Sequence, residues 1–139
     1  MKPRISVLTI GVDDLEKSVD FYRALGLETD GIVGKEFEYG AVAFFELQSG
    51  LKLALWPRKS IAHDTNITLQ PPSTTEFTLG HNVNSKEEVD AVMVQAEKAG
   101  AKIIKSAADT FWGGYAGYFQ DIDGHLWEVV YNPELKVEG

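Results

Sequence analysis

The sequence is built from two copies of one pattern, and this repetition limits the possible fold more than any other feature. Phe44-Phe45 and, after four intervening residues, Gly50 correspond to Tyr118-Phe119 and Gly124. Val12-Asp13 and Val83-Asn84 each stand directly before a predicted helix. A repeat of roughly 70 residues is too long for a solenoid and has the size of a supersecondary unit. We therefore expect two similar units in tandem.

Each copy predicts the element order strand, helix, strand, strand, strand. The first helix begins at the capping pair Asp13-Asp14 and ends at Gly26, and the second begins at Ser85 and ends at Gly100. Short β-branched and aromatic runs bounded by turn residues predict the strands. These runs are 5–12, 27–33, 41–47, 51–56, 75–83, 101–105, 115–120 and 125–131.

The predicted fold class is therefore α+β, with two tandem βαβββ repeats that form a curved-sheet half-barrel cleft. We expect a single domain over residues 1–139, with repeat one at about 4–57, a linker at about 58–73 and repeat two at about 74–133. The linker is polar and ends in Pro71-Pro72, with at most one helical turn near 58–62.

Composition excludes several classes of function. The formal charge of −8 argues against nucleic-acid binding, which needs clustered Lys and Arg. The absence of cysteine excludes disulfides, thiolate zinc sites and cysteine nucleophiles, and it fits a reducing compartment. No apolar run is long enough to span a membrane, and the N-terminus passes directly into a strand pattern, so we expect a cytoplasmic protein without membrane partners.

The two motifs resemble the vicinal oxygen chelate superfamily, which includes glyoxalase I, extradiol dioxygenases, and fosfomycin and bleomycin resistance proteins. The opening motif is Val12-Asp13-Asp14-Leu15 with Phe21-Tyr22 and Gly26, and the closing motif runs from Tyr118 through Asp121-x-Asp123-Gly124-His125 to Glu128. The resemblance covers the chain from about Ile5 to Pro133. It implies a βαβββ fold, a ligand site in the cleft and, in many members, a divalent metal.

The resemblance places the four metal-ligand positions at Val7, Ala54, Thr78 and Glu128. Metal sites need converging oxygen or nitrogen donors, and neither Val nor Ala provides one. One carboxylate does not hold a catalytic cation against water. We therefore expect no metal and no cofactor, as in the members that bind ligand without metal, and we consider metal-dependent glyoxalase or dioxygenase activity unfavoured.

Period-two alternation along the strands predicts which side chains line the cleft. The predicted ligand-binding residues on strands are Thr9, Trp56, Thr78, Asn82 and Glu128. Glu128 is the only ionisable group among them. It is a candidate general base or partner of a cationic ligand, and the alternative is a structural carboxylate held by neighbouring hydroxyls or water.

The segment Phe111-Trp112-Gly113-Gly114-Tyr115 adds aromatic surface to the predicted site. The paired glycines allow close approach to a ligand, and Trp112 and Tyr115 offer flat faces for stacking or for a cation. The alternative is that Trp112 covers the core of the second repeat.

The three histidines show no ligand spacing on one face. We expect His63 to be a solvated loop residue, His81 to point toward the second helix and His125 to be exposed at the start of a strand.

Three functions remain open on sequence grounds. The first is a metal-independent small-molecule-binding protein that takes an aromatic or cationic compound. The second is an enzyme, either metal-free with Glu128 as base or a glyoxalase-like lyase or dioxygenase. The third is an interaction module that pairs through its sheet edges. We also expect a homodimer, since aromatic residues such as Phe44 and Trp56 need cover.

Overall fold

The computed structural model describes all 139 residues and contains eight strands, which form two four-stranded sheets, and three helices. The chain divides into two compact units, residues 1–71 and 72–139. Each unit contains one sheet and one long helix, so the predicted α+β class and the tandem βαβββ order are confirmed. None of the helices is long and apolar enough to cross a membrane.

The first unit has the strand order β1-β4-β3-β2. Its elements are β1 (Val7–Val12), α1 (Leu15–Ala24), β2 (Thr29–Val33), β3 (Val42–Glu46), β4 (Lys52–Pro57) and α2 (Arg58–Thr65). β1 runs parallel to β4, and β4, β3 and β2 are antiparallel neighbours.

The long helix of the first unit, α1, begins and ends where the sequence predicts. The Asp14 carboxylate accepts a hydrogen bond from the Lys17 amide at 3.1 Å, which satisfies one of the free amides of the first turn. Gly26, at φ 105°, follows the helix in a conformation that glycine adopts without strain. The buried Tyr22 ring lies 5.9 Å from that of Phe45, so α1 covers the sheet face that bears Phe45. Burial of side chains of this size contributes about 1.5–3 kcal/mol each.

A second helix of the first unit, α2, occupies the start of the predicted linker. Arg58 donates to the Asp13 carboxylate at 2.7 Å, and its side chain is largely buried. The fit depends on Gly11, because a Cβ there would lie 2.7 Å from Arg58 Cγ. The helix ends at Asn66, whose φ is 60°. The sequence predicts only one turn of this helix, near 58–62, because the segment is polar and only a short stripe of it contacts β1 and β4.

The second unit repeats the first with the strand order β5-β8-β7-β6. Its elements are β5 (Leu79–Val83), α3 (Lys86–Ala99), β6 (Lys102–Asp109), β7 (Tyr115–Gln120) and β8 (Leu126–Tyr131). β5 is parallel to β8, as β1 is to β4. Ser85 caps α3 by accepting from the Glu88 amide at 3.1 Å, and Glu88 accepts from the Asn84 amide at 2.9 Å. The capping box predicted at Ser85–Glu88 therefore forms with one difference: Glu88 accepts from the amide of Asn84 instead of that of Ser85.

The edge strand β6 is longer than predicted. It extends to Asp109 rather than ending at Lys105, and its pairing with β7 shifts register twice, after Ile103 and after Lys105. Such bulges interrupt the alternation of apolar and polar residues by which a strand is predicted. The predicted strand therefore ends before β6 does.

Candidate functional site

The two sheets carry matching rows of residues on the face that points away from the long helix of each unit, which we call the distal face. In the second sheet Gly80, Glu128 and Tyr118 lie side by side on β5, β8 and β7. In the first sheet Thr9, Ala54 and Phe44 lie side by side on β1, β4 and β3. The two halves therefore share one register, and only the second row contains an ionisable carboxyl group.

Glu128 is the polar centre of the distal face of the second sheet. The Tyr118 hydroxyl donates to its Oε2 atom at 3.0 Å. The other carboxylate oxygen, Oε1, has no hydrogen bond within the chain, and no buried polar side-chain atom lacks a partner, so Oε1 is accessible to solvent. The carboxylate is thus oriented by one bond and has one oxygen free to accept another.

The hydrogen bond and partial burial also change the phenol. Burial raises the pKa of Tyr118, and the hydrogen bond to Glu128 and the negative charge of that carboxylate raise the same pKa further. Tyr118 is therefore a neutral donor at physiological pH, and Glu128 is its acceptor.

Gly80 leaves room beside the carboxylate. It pairs with Glu128 across the parallel strands β5 and β8, and a Cβ added at Gly80 would meet no atom within 4 Å. Space next to a half-buried carboxylate with a free oxygen is what a small polar ligand needs.

The distal face of the first sheet is aromatic rather than charged. Trp56 is half-buried, and its Nε1 donates to the Tyr39 carbonyl at 3.1 Å. The Tyr39 ring stacks on that of His63 with centroids 3.9 Å apart, although Tyr39 has a φ of 59°, which is unfavourable for a bulky residue. Thr9 is exposed and pairs with Ala54, which is two residues from Trp56 on β4. The predicted residues Thr9 and Trp56 therefore share one face of one sheet.

The remaining strand residues of the predicted site belong to the second unit. Asn82 is half-buried on β5 beside Val130, and Thr78 is exposed and precedes β5. By alternation from Gly80, Asn82 falls on the distal face with Glu128, whereas Thr78 lies outside the strand because β5 begins at Leu79 rather than at the predicted residue 75.

The four positions implied by the resemblance do not fit a divalent cation. Val7 is exposed, Ala54 is buried, and their side chains are hydrocarbons that cannot donate to a metal. Glu128 is the one strong donor of the set, and its Oε2 already accepts from Tyr118. No other group of three or more His, Asp or Glu side chains is placed to hold a metal ion.

Tyr115 lies on the opposite face of the second sheet from Glu128. Its hydroxyl donates to Asp90 on α3 at 2.7 Å, and Lys86 Nζ lies 5.6 Å from its ring centroid. The hydrogen bond to Asp90 raises the pKa of Tyr115, and the bond to Asp109 raises the pKa of Lys86. Strand alternation explains the separation, because Tyr115 and Tyr118 are an odd number of residues apart on β7.

Trp112 covers backbone within its own loop. A Cβ on Gly114 would lie 2.2 Å from the Trp112 ring, so this ring occupies the space that a side chain at Gly114 would need. Thr110 closes the loop, because its hydroxyl accepts from the Gly114 amide at 2.8 Å. About two fifths of Trp112 remains accessible (43%), so one part of the ring packs and another part faces solvent.

The histidines lie in three different settings. His63 lies in helix α2 rather than in a loop. Burial lowers the pKa of His81, and the nearby charge of Glu88 on α3 opposes that shift, which agrees with the expected orientation toward the helix. The expectation for His125 was wrong: its side chain is only 12% exposed, and Nδ1 lies 2.7 Å from Oδ2 of the fully buried Asp121 carboxylate.

Tyr118 was not predicted as a site residue, although it belongs to the closing motif. The signal was available: Tyr118 and Glu128 are an even distance apart in a hairpin that turns at 121–124, which predicts a shared face.

Comparison with known proteins identifies the family. The model of the Glyoxalase/Bleomycin resistance protein/Dioxygenase superfamily matches residues 4–129, so the chain belongs to this superfamily. The fold matches a glyoxalase-related enzyme from Fulvimarina pelagi, with 29% identity, a TM-score of 0.82, and coverage of 98% of this chain and 93% of that one. None of the curated proteins compared with the chain matches it.

Two further solved structures share the fold at lower identity. A lactoylglutathione lyase from Agrobacterium tumefaciens matches with 21% identity and a TM-score of 0.70, covering 99% of this chain and 100% of that one. A genomically encoded fosfomycin resistance protein from Listeria monocytogenes matches with 23% identity and a TM-score of 0.70, covering 95% of each chain.

Proposed function

We propose that the chain is a small-molecule-binding protein of this superfamily that takes an aromatic or cationic compound without a bound metal. The binding surface is the distal face of the second sheet, centred on Glu128 and Tyr118. The observation that carries the proposal is the hydrogen bond of 3.0 Å between them, which orients one carboxylate oxygen and leaves the other free.

The charge of Glu128 selects for a cationic group. A carboxylate with one free oxygen accepts a charge-assisted hydrogen bond from an ammonium or guanidinium group, worth about 1.5–3 kcal/mol. The net charge of −8 also attracts cations over longer distances at low ionic strength. The space beside Gly80 admits the group that carries the charge.

The donor chemistry supports binding without metal. Val7 and Ala54 stand where the superfamily resemblance places two ligands, and Glu128 is already hydrogen-bonded. Metal-dependent lyase or dioxygenase chemistry therefore lacks its donor set in these residues.

A metal-free enzyme with Glu128 as general base is the second candidate, favoured by the adjacent phenol. Glu128 Oε1 can accept a proton from a bound compound, while the neutral Tyr118 hydroxyl stabilises the carboxylate through Oε2. A lactoylglutathione-forming assay, run beside metal analysis of the purified protein, tests the glyoxalase-type alternative.

The proposal is tested by a screen of cationic aromatic compounds with tryptophan fluorescence as readout. For a compound that binds, E128Q is expected to weaken affinity about ten- to hundredfold, because a charge-assisted contact is lost. The matched control is E97Q, which removes one negative charge from an exposed position on α3. Because salt screens a remote exposed charge, E97Q is expected to change affinity by about twofold at most. Equal loss in E128Q and E97Q would show a general charge effect and reject the site.

We further propose a cytoplasmic homodimer. The absence of cysteine fits a reducing compartment. Several large apolar side chains are more than 40% exposed, among them Val7, Phe77 and Phe111, and an interface between two copies offers a way to cover them. Sedimentation that shows only monomer well above micromolar concentration would contradict the dimer.

A further inference from the structure

A groove along the free edge of the first sheet lies outside the site proposed above. It lies between the last turn of α1 and the edge strand β2, and has a volume of about 660 Å³. We call it the edge groove; its lining includes Arg23, Glu28, Thr29, Asp30, Gly31 and Phe44. Its volume is in the range of pockets that take small organic molecules.

The floor of the edge groove is built by an internal hydrogen-bond arrangement. The Thr29 hydroxyl donates to the Phe44 carbonyl at 2.5 Å and accepts from the Gly31 amide at 3.2 Å. The pairing of β2 with β3 is irregular at this point, between Thr29 and Ile32. The Thr29 hydroxyl therefore provides hydrogen bonds to backbone groups at the irregularity, where the regular pairing of the strands is interrupted.

The cation of the groove lies over this bulge. A Cβ on Gly31, whose φ is 102°, would lie 3.6 Å from Arg23 Nη2, so the guanidinium lies close to the bare Gly31 backbone. Arg23 forms no ion pair within the chain, although three carboxylates line the same groove. A guanidinium with free donors binds a carboxylate through two parallel hydrogen bonds.

The anions of the groove are Glu28 and Asp30. Neither forms an ion pair within the chain, whereas Glu46 at the rim pairs with Lys52 at 3.3 Å. Phe44 also lines the groove, is 41% exposed and offers an apolar contact. The groove thus presents one free cation, two free anions and an aromatic surface.

We propose that the edge groove binds small zwitterions of amino-acid type. The ligand carboxylate pairs with Arg23, the ligand ammonium with Glu28 or Asp30, and an apolar side chain packs on Phe44. This site belongs to the first unit, and the proposed site at Glu128 belongs to the second.

Three probes that differ only in charge test the proposal: phenylalanine, phenethylamine, which lacks the carboxylate, and phenylpropionate, which lacks the ammonium. Binding is followed by the shifts of the β2 backbone amides in NMR titrations. Phenylalanine is expected to bind more tightly than either single-charge probe, by up to about fivefold, the upper end for one exposed ion pair. Equal affinity for phenylalanine and phenethylamine, or no shift of the β2 amides with any probe, would overturn the proposal.

Variants assign the charges. R23Q is expected to remove the advantage of phenylalanine over phenethylamine, and E28Q/D30N to remove its advantage over phenylpropionate. The control for R23Q is K98Q, because Lys98 is the basic residue in the last turn of the equivalent helix α3. K98Q and E128Q are expected to leave the β2 shifts unchanged. An advantage that persists in R23Q refutes the groove without affecting the site at Glu128, and a failure of E128Q in the fluorescence screen leaves the groove intact.

Discussion

Tyr118 and Glu128 lie directly opposite each other on neighbouring strands and are joined by a hydrogen bond of 3.0 Å between the phenol and Oε2. The bond joins Glu128 to a donor that stays protonated, because burial and the Glu128 carboxylate raise the pKa of Tyr118. The carboxylate is therefore held in one orientation by its own sheet.

Stability at alkaline pH depends on this phenol. The pKa of Tyr118 is raised in the folded protein above its ordinary value of about 10 in an unfolded chain. The stabilisation is fully present below about pH 10 and is lost as the pH rises through the folded pKa, since the unfolded chain releases this proton first. Denaturant unfolding measured as the pH rises above about 10 is expected to show a steeper fall in the free energy of unfolding for wild type than for Y118F. Parallel curves would contradict the raised pKa.

Substitution of the glycine opposite Glu128 separates binding from folding. Gly80→Ala adds a Cβ that meets no atom within 4 Å, so the free energy of unfolding is expected to change by less than about 1 kcal/mol. Affinity for a cationic ligand is expected to fall, since the methyl group takes space beside the carboxylate. The contrast is Gly11→Ala, whose Cβ would lie 2.7 Å from Arg58 Cγ; it is expected to displace α2 and lower the melting temperature. If G11A were stable and G80A unfolded, Gly80 would be needed for folding and Gly11 would not, which contradicts this prediction.

Removal of the charge at Glu128 is expected to change stability little. Glu128→Gln keeps an acceptor for the Tyr118 hydroxyl, so its melting temperature should stay close to that of wild type. The core control is Phe45→Ala, which removes a fully buried ring in contact with Tyr22 and should cost about 3–5 kcal/mol. If E128Q melts as low as F45A, Glu128 is structural and the binding assignment passes to the aromatic residues.

The turn before β8 depends on Asp121. Its carboxylate accepts from the amides of Asp123 at 2.9 Å and His125 at 2.8 Å, and pairs with the His125 ring. Asp121→Ala removes the acceptor of these partly buried donors and is expected to cost about 1–3 kcal/mol in the free energy of unfolding. Urea denaturation measures the loss. Asp20→Ala, at an exposed position of α1, is the control and should stay within about 0.5 kcal/mol of wild type.

Metal content tests the donor set directly. Purified protein dialysed against buffer is expected to contain no stoichiometric divalent metal, since Val7 and Ala54 provide no ligand atoms. Zinc, nickel or iron bound one to one after dialysis would show that the metal positions are misplaced.

Local pattern predicted most of the secondary structure, because each element carries its own signals. β7 matches the predicted bounds at both ends, and the caps at Asp14 and Ser85 bond as expected. The pattern failed where tertiary contact decides the structure. Helix α2 depends on the bare backbone of Gly11, which lies far away in sequence.

The candidate site was predicted less completely than the fold, since its residues meet only through strand register. Alternation predicts Glu128 and Trp56 as site residues, but the Tyr118 hydroxyl could be assigned to Glu128 only once β7 and β8 were aligned. Tyr115 was grouped with Glu128 because it lies in an aromatic run, and its bond to Asp90 on α3 places it on the other face. His125 was predicted to be exposed because it follows a polar turn sequence. Its side chain instead pairs with the Asp121 carboxylate, which is buried.

The parallel pairing of the first and last strands of each unit also determines the order in which the chain can acquire structure during synthesis. β1 has no sheet partner other than β4, and Ile10 and Val12, both buried in the finished unit, lie on β1. A ribosome that releases the chain from its N-terminus therefore exposes these side chains until Pro57 has emerged, because no earlier segment can cover them within the sheet. The second unit repeats this delay, since β5 has no partner in its sheet until β8 has emerged as far as Tyr131.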